Sequence, residues 1–185
     1  MVLAAGAGRR FGATKQLADL DGRPLLQHAV DAANAAEGID RVVVVLGHDA
    51  ERIRAAVDLG RAKAVVADGW REGQAASLRA GVQAAGDAEA LVVLLGDQPR
   101  LTSDAVGRVL AARGEHAAVR ARYSGVPGHP VVLEHALFAD LLRLRGDMGA
   151  RDLLAHHRVA DVDMGPDHLA QVDVDTPEQL EEMRR

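Results

Sequence analysis

The stretches Arg41–Leu46, RVVVVL, and Ala90–Leu95, ALVVLL, carry no polar residue after the leading arginine. A strand with one face in water alternates apolar and polar residues. An unbroken β-branched and leucine run belongs to a strand covered on both faces, as in the centre of a parallel sheet. Working outward, VLAA at the front and AKAVVA at 62–67 read as further strands, and the intervening alanine-rich stretches read as helices. The helices are expected at Pro24 to Ala36, Ala50 to Val57 and Gln74 to Ala85. Strand and helix alternating in this way predict βαβ units, hence an α/β fold: a Rossmann-like three-layer α/β/α sandwich with a mostly parallel sheet. Pro24 suits a first helical turn, and Thr102, Ser103 or Asp104 suits the cap of a helix after Pro99.

Beyond Ala112 the rhythm loosens. AAVRARYSGVPGHPVVL, 117–133, predicts a strand, a Gly/Pro loop and a second strand, which makes the C-terminal part of the sheet mixed or antiparallel. Helical patterns follow at His135 to Leu144 and Gly149 to His156. Short strands are expected near RVADVDM, 158–164, and AQVDVD, 170–175, before a closing helix from Pro177.

A chain of 185 residues, 48% hydrophobic, suits one domain over 1–185. The net charge of −5 offers no basic field for a nucleic-acid partner. Without cysteine there are no disulfides and no thiolate sites, so any metal must sit on oxygen or imidazole. No apolar stretch approaches the ~20 residues that span a bilayer. A cytoplasmic protein with no membrane partner is the expectation.

In open α/β sheets ligands gather where strand ends meet helix N-termini, so the residues just after each strand are the candidates. After the first strand, GAGRRFGATK places Gly6, Gly8 and Gly12 beside Arg10 and Lys15. Glycines tolerate positive φ and close approach, and the two cations suit an anion, so this loop reads as a phosphate cradle; the bland alternative is a glycine turn with solvated basic residues. The glycine spacing, and Gly47-His48 after the second strand, fit neither a dinucleotide fingerprint nor a P-loop, which disfavours hydride transfer and ATPase or GTPase chemistry. Asp97, ending an apolar strand and followed by Pro99, is the strongest candidate ligand for a hard cation such as Mg²⁺; otherwise it caps the next turn. Asp173 and Asp175 fall on one side of an extended segment, either as ligands or as caps of the last helix. In DGWREGQAAS, 68–77, Gly73 opens a helix with Ser77 one turn inside, and Trp70, Arg71 and Arg79 are candidate cleft residues. His48, His129, His156 and His157 lack helical metal-pair spacing and read as surface residues or as neighbours of a site.

The ordered set LAAGAGRRFGATKQL, GQAASLRAG, LLGDQP, GVPGHPVVL, RGDMGARDLL and DVDTPEQL resembles the molybdopterin nucleotidyltransferases, most closely the molybdenum cofactor cytidylyltransferase branch of the NTP-transferase family. The resemblance covers nearly the whole chain. It implies nucleotide contacts at Leu3, Ala4, Ala5, Gly6, Ala7, Gly8, Arg10, Lys15, Gly73, Ser77 and Asp97. The catalytic set would be Lys15, Arg10 and Asp97, and Mg²⁺ would lie on Asp97 and Asp175, with Asp173 as the alternative second ligand. Ala76 stands where a serine is common. GHP and GDMGAR would form the acceptor side. LAAG, with Ala5 at the variable place, resembles users of CTP, whereas LAGG resembles users of GTP.

The implied reaction joins CMP, or GMP, from the triphosphate to a molybdopterin-type cofactor phosphate and releases pyrophosphate. A molybdenum enzyme that receives the product is an implied partner. The rival readings are transfer to a sugar or alcohol phosphate, and a non-catalytic nucleotide-binding partner of a molybdenum enzyme. Asp97→Ala or Lys15→Ala is expected to leave a folded protein with activity lowered by orders of magnitude.

Overall fold

The structure, a computed structural model, describes residues 1–166 and 171–185. Its first half alternates as the apolar runs require. Strand β1 (Val2–Ala4) is followed by a small hairpin, β2 (Asp19–Leu20) and β3 (Arg23–Pro24), and by helix α1 (Leu25–Ala35). Next come β4 (Val43–Leu46), α2 (Ala50–Ala56), β5 (Lys63–Val66), α3 (Gln74–Ala85) and β6 (Ala90–Leu95). After α4 (Ser103–Ala111) the chain forms β7 (Ala118–Tyr123), β8 (Val126–Glu134), the short helices α5 (Phe138–Leu141) and α6 (Ala150–Leu154), β9 (Val159–Asp163) and α7 (Pro177–Met183).

The strands lie in the order β5-β4-β1-β6-β8-β7-β9. β5, β4, β1 and β6 are parallel; β8 runs against both β6 and β7, and β9 is parallel to β7. The absence of polar residues in the central runs now has its reason. Val44, Val92 and Leu94 point into one core with Leu26, Ile53 and Val106 of α1, α2 and α4. Their neighbours Val45, Leu91 and Val93 point into the other, with Leu78, Val82 and Leu141 of α3 and α5. Alternate residues of one strand therefore fill two cores, so every position must be apolar. Burying a leucine of this kind contributes about 1.5–3 kcal/mol.

Two expectations are corrected. The Gly/Pro segment is no broad loop: Ser124 and Gly125, at φ 48° and 81°, make a two-residue turn, and Pro127 and Pro130 lie within β8. Two consecutive positive φ values match the right-handed strand twist and close the hairpin tightly. The ladder tolerates Pro127 beside an irregularity between Arg120 and Arg122. The expected strand 170–175 is also absent: Gln171–Asp175 pair with no strand, and Ala170 lies outside the described residues. This segment is tied down by single contacts instead. Val174 donates its N–H to the Asp97 carbonyl at 2.9 Å and buries its side chain with Leu20, Leu25, Leu180 and Met183.

The helical run expected over His135–Leu144 is a 3-10 turn, His135–Leu137, leading into the single turn of α5. Caps fall where short polar side chains reach the first turn. Thr102 accepts from the Ala105 N–H, and Thr176 forms a capping box with Gln179, Pro177 occupying the first turn. Pro24 sits one residue ahead of α1.

Candidate active site

At the carboxyl ends of β1 and β6, between which the order of strands reverses, lies an open cavity of about 590 Å³. The residues that the resemblance implies for nucleotide and metal contact line it: Leu3 to Gly8, Arg10 and Lys15 from the front, Gly73 and Ser77 from the start of α3, Asp97 after β6, and Asp175 ahead of α7; Gly12 of the cradle loop does not. The chain's own geometry accounts for this convergence. The front loop turns back on itself at Gly8, φ 60°, where a Cβ would stand 2.6 Å from the Ala13 carbonyl oxygen. Gly12 is likewise left-handed, whereas Gly6 is not. The loop is pinned from below by Gln16, 3% exposed, whose side-chain amide donates to the carbonyls of Ala4 at 2.9 Å and Gly6 at 2.8 Å. Thr14 donates to the carboxylate of Asp49.

Lys15, 9% exposed, stands at the centre. Its ammonium donates to Asp97 Oδ2 at 2.6 Å and to Asp175 Oδ1 at 2.9 Å. Arg10, three-quarters exposed, takes Asp175 Oδ2 at 2.7 Å. Burial alone would lower the lysine pKa, but the charges and hydrogen bonds of Asp97 and Asp175 outweigh it and raise the group above its ordinary value. Neither carboxylate caps a helix, since Thr102 and Thr176 do so. Val174 buries between Asp173 and Asp175, so alternation turns both acids to the cavity. They differ in partner: Asp175 meets the two cations, while Asp173 accepts from the Gln98 amide at 2.7 Å. Burial, then the charge of Asp97, raises the Asp173 carboxyl pKa, with Gln98 acting in the opposite direction.

Two carboxylates reaching one point within hydrogen-bond distance suit a hard divalent cation that completes its shell with water and phosphate oxygens. Among the described residues no cluster of three or more potential ligands forms, so a full protein cage is not built.

The other wall was only partly legible. Gly73, at φ 121°, lets α3 begin directly against the Gly146 backbone, which a Cβ would approach to 2.4 Å. This contact brings Asp147 into the same cavity. Trp70 packs under Gly47, stands 5.4 Å from the His48 ring and carries the Arg71 guanidinium 4.5 Å over its face. Arg71 and Trp70 line the cavity. Arg79 does not; it donates to the Leu144 carbonyl at 2.7 Å and latches the middle of α3 to the chain beyond α5.

Gly128 and His129 of GHP and the second half of GDMGAR, Gly149 to Arg151, come together in an adjoining cavity of about 310 Å³, whereas Asp147 of that motif lines the first. Gly128, His129 and Arg151 line it, and Leu3, Gln74, Leu95 and Asp173 border both spaces. Gln98, 3% exposed, presents its amide there; a single polar residue between aspartate and proline gave no signal in the sequence. Of the two readings open for His129, surface residue or neighbour of a site, its place in this lining fits the second; burial lowers its pKa to about 4, opposed by Asp97.

An unfolded histidine takes up its proton near 6.5, whereas the folded ring stays neutral until about 4. Between these values the unfolded chain binds more protons, so the ring lowers stability as the pH falls, by about 3 kcal/mol in all. Denaturant unfolding at pH 7 and pH 4.5 should show a smaller acid loss in His129→Gln than in wild type; equal losses would show that the ring titrates normally.

A family model described as the MobA-like NTP transferase domain matches residues 1–162. Over 190 residues the chain is 34% identical to the nicotine blue oxidoreductase of Paenarthrobacter nicotinovorans, covering 97% of this chain and 93% of that one. The crystal structure of Rv0371c from Mycobacterium tuberculosis H37Rv is similar at TM-score 0.88 and 31% identity, over 99% of this chain and 95% of that one. A second structure of that protein, a complex with manganese, is similar at TM-score 0.83 and 30% identity, over 98% and 95%. A nucleotidyl transferase from Methanothermobacter thermautotroptrophicus gives TM-score 0.83 at 25% identity, over 99% and 94%.

Proposed function

Because this chain belongs to the MobA-like NTP transferase family, we propose that it transfers a nucleotidyl group, CMP from CTP in the first place, to the phosphate of a molybdopterin-type cofactor. The observation that carries this reading is the meeting of Lys15, Arg10, Asp97 and Asp175 beneath an amide-rich loop, in a cavity large enough for a nucleotide. An acceptor phosphate oxygen bonds to the α-phosphorus, the bond from that phosphorus to the bridging oxygen breaks, and pyrophosphate leaves. No protein nucleophile takes part.

The protein's contribution is alignment and charge. The front loop offers main-chain N–H groups to the phosphates, and Lys15 and Arg10 neutralise charge on the departing pyrophosphate. Asp97 and Asp175 would hold Mg²⁺ or Mn²⁺, which when bound neutralises phosphate oxygens and orients them; the manganese complex of Rv0371c supports a divalent ion. Ala5, 6% exposed at the cavity wall, narrows the space for a purine relative to glycine, which favours CTP over GTP. The adjoining cavity with His129 and Arg151 is the proposed acceptor side.

The name of the Paenarthrobacter relative, nicotine blue oxidoreductase, gives a second reading, oxidoreduction of nicotine blue, and two sets of assays separate the two. CTP, GTP, ATP and UTP are each supplied with Mg²⁺ and with a molybdopterin-type, sugar-phosphate or alcohol-phosphate acceptor, and pyrophosphate is measured. CTP with the pterin should release it fastest. Release only with a sugar or alcohol phosphate would change the acceptor. In separate mixtures of nicotine blue with NADH or NADPH, oxidation of the nicotinamide, together with no pyrophosphate in the first set, would replace the reading by the oxidoreductase, and CTP binding without turnover would replace it by a nucleotide-binding partner. In the first set CTP with Mg²⁺, at a hundred times its Kd, should stabilise the fold by about 2.7 kcal/mol. That corresponds to a rise in Tm of roughly 5–10 °C.

A further inference from the structure

The Lys15 ammonium lies within hydrogen-bond distance of both Asp97 and Asp175, the two carboxylates available for a metal ion. Asp175 has both its oxygens engaged already, Oδ1 by Lys15 and Oδ2 by Arg10. Lys15 is nearly buried, its side chain 11% exposed against 75% for Arg10, so it is held in place while Arg10 can swing into water. Metal–oxygen bonds are no longer than these contacts, at about 2.0–2.6 Å. A divalent ion on both carboxylates would therefore stand where the ammonium stands. Two like-charged centres cannot share that point.

We propose that Lys15 and the divalent cation compete for the Asp97–Asp175 pair, and that a bound triphosphate relieves the competition by drawing the ammonium onto its phosphate oxygens. Metal and nucleotide then bind with positive coupling: each is held more tightly in the presence of the other, by the same factor. The lysine keeps the acids paired and poised, and the pair takes up its metal fully only when a triphosphate gives the lysine another anion. This inference rests on the proposed metal-dependent use of a nucleotide.

The test is Mn²⁺ binding, followed by loss of the electron paramagnetic resonance signal of the free ion, first without nucleotide and then with CTP. Without nucleotide, Lys15→Gln should bind Mn²⁺ about tenfold or more tightly than wild type, within the usual range of couplings between sites. Arg10→Gln removes the same charge from an exposed position and should gain no more than about threefold, which separates occupancy of the shared point from general electrostatics. CTP should tighten Mn²⁺ binding more in wild type than in Lys15→Gln. Retained near-ultraviolet circular dichroism establishes that each variant is folded. If Lys15→Gln misfolds, the wild-type protein alone decides: raising Mn²⁺ must lower the CTP Kd, and absence of that linkage overturns the competition. Equal or weaker Mn²⁺ binding by a folded Lys15→Gln also overturns it while leaving the nucleotidyl-transfer reading intact. No Mn²⁺ binding by either protein, with or without CTP, overturns both.

Discussion

Asp97→Asn should lower the turnover number for pyrophosphate release by about 10²–10³-fold while leaving the fold and its thermal stability nearly unchanged. The two halves of this expectation have separate causes. The backbone at Asp97 is fixed by the Val174 N–H on its carbonyl, a contact that the substitution does not touch. Asparagine keeps the size of the side chain, and Lys15 retains Asp175 at 2.9 Å. What disappears is one of two negative charges at the point where a divalent ion and the triphosphate would meet. Because that charge acts on groups whose own charge shifts during transfer, the loss should fall on kcat more than on KM. Steady-state pyrophosphate release and a thermal melt on the same sample check both halves. Turnover within roughly threefold of wild type would remove Asp97 from the chemistry.

The sheet could be read from its strands because β4 and β6 must feed two cores at once, and only apolar residues satisfy both. The front of the site was readable for a related reason: glycines, Arg10 and Lys15 crowd one strand end, and Asp97 follows another. Residues whose role depends on distant partners left no comparable trace. Gln16 stands out by no spacing of its own, yet it clamps Ala4 and Gly6 across the loop. Asp147 enters the cavity only because Gly73 lets α3 sit against Gly146. Local spacing carries no record of either contact. The segment before α7 misled in the opposite sense. QVDVD alternates as a strand does, but what it satisfies is one buried valine among Leu20, Leu25 and Leu180, with acids on either side of it. Alternation reported which side chains face the same way, not whether the backbone finds a ladder.

The same cluster makes Lys15→Ala a different experiment from Asp97→Asn, although the sequence places both residues at one site. Removing the ammonium leaves Asp97 and Asp175 facing each other, with Asp173 beside them and already titrating high. Arg10 holds only the outer oxygen of Asp175 and is three-quarters exposed, so it compensates little. Breaking a buried pair costs about 3–5 kcal/mol, and these carboxylates, a quarter exposed, retain part of their hydration. A loss of about 2 kcal/mol follows, or roughly 4–8 °C in Tm for a domain of this size, in addition to the loss of turnover. The pH dependence identifies the cause. Carboxylates left facing each other without their cation repel only while ionised, so the variant's deficit should be full above the ordinary carboxylate range and shrink as acid protonates them. Calorimetry of both proteins at pH 7.5 and pH 5 tests the sign. A deficit that is the same at both values would trace the instability to the lost packing of the lysine stem instead of its charge.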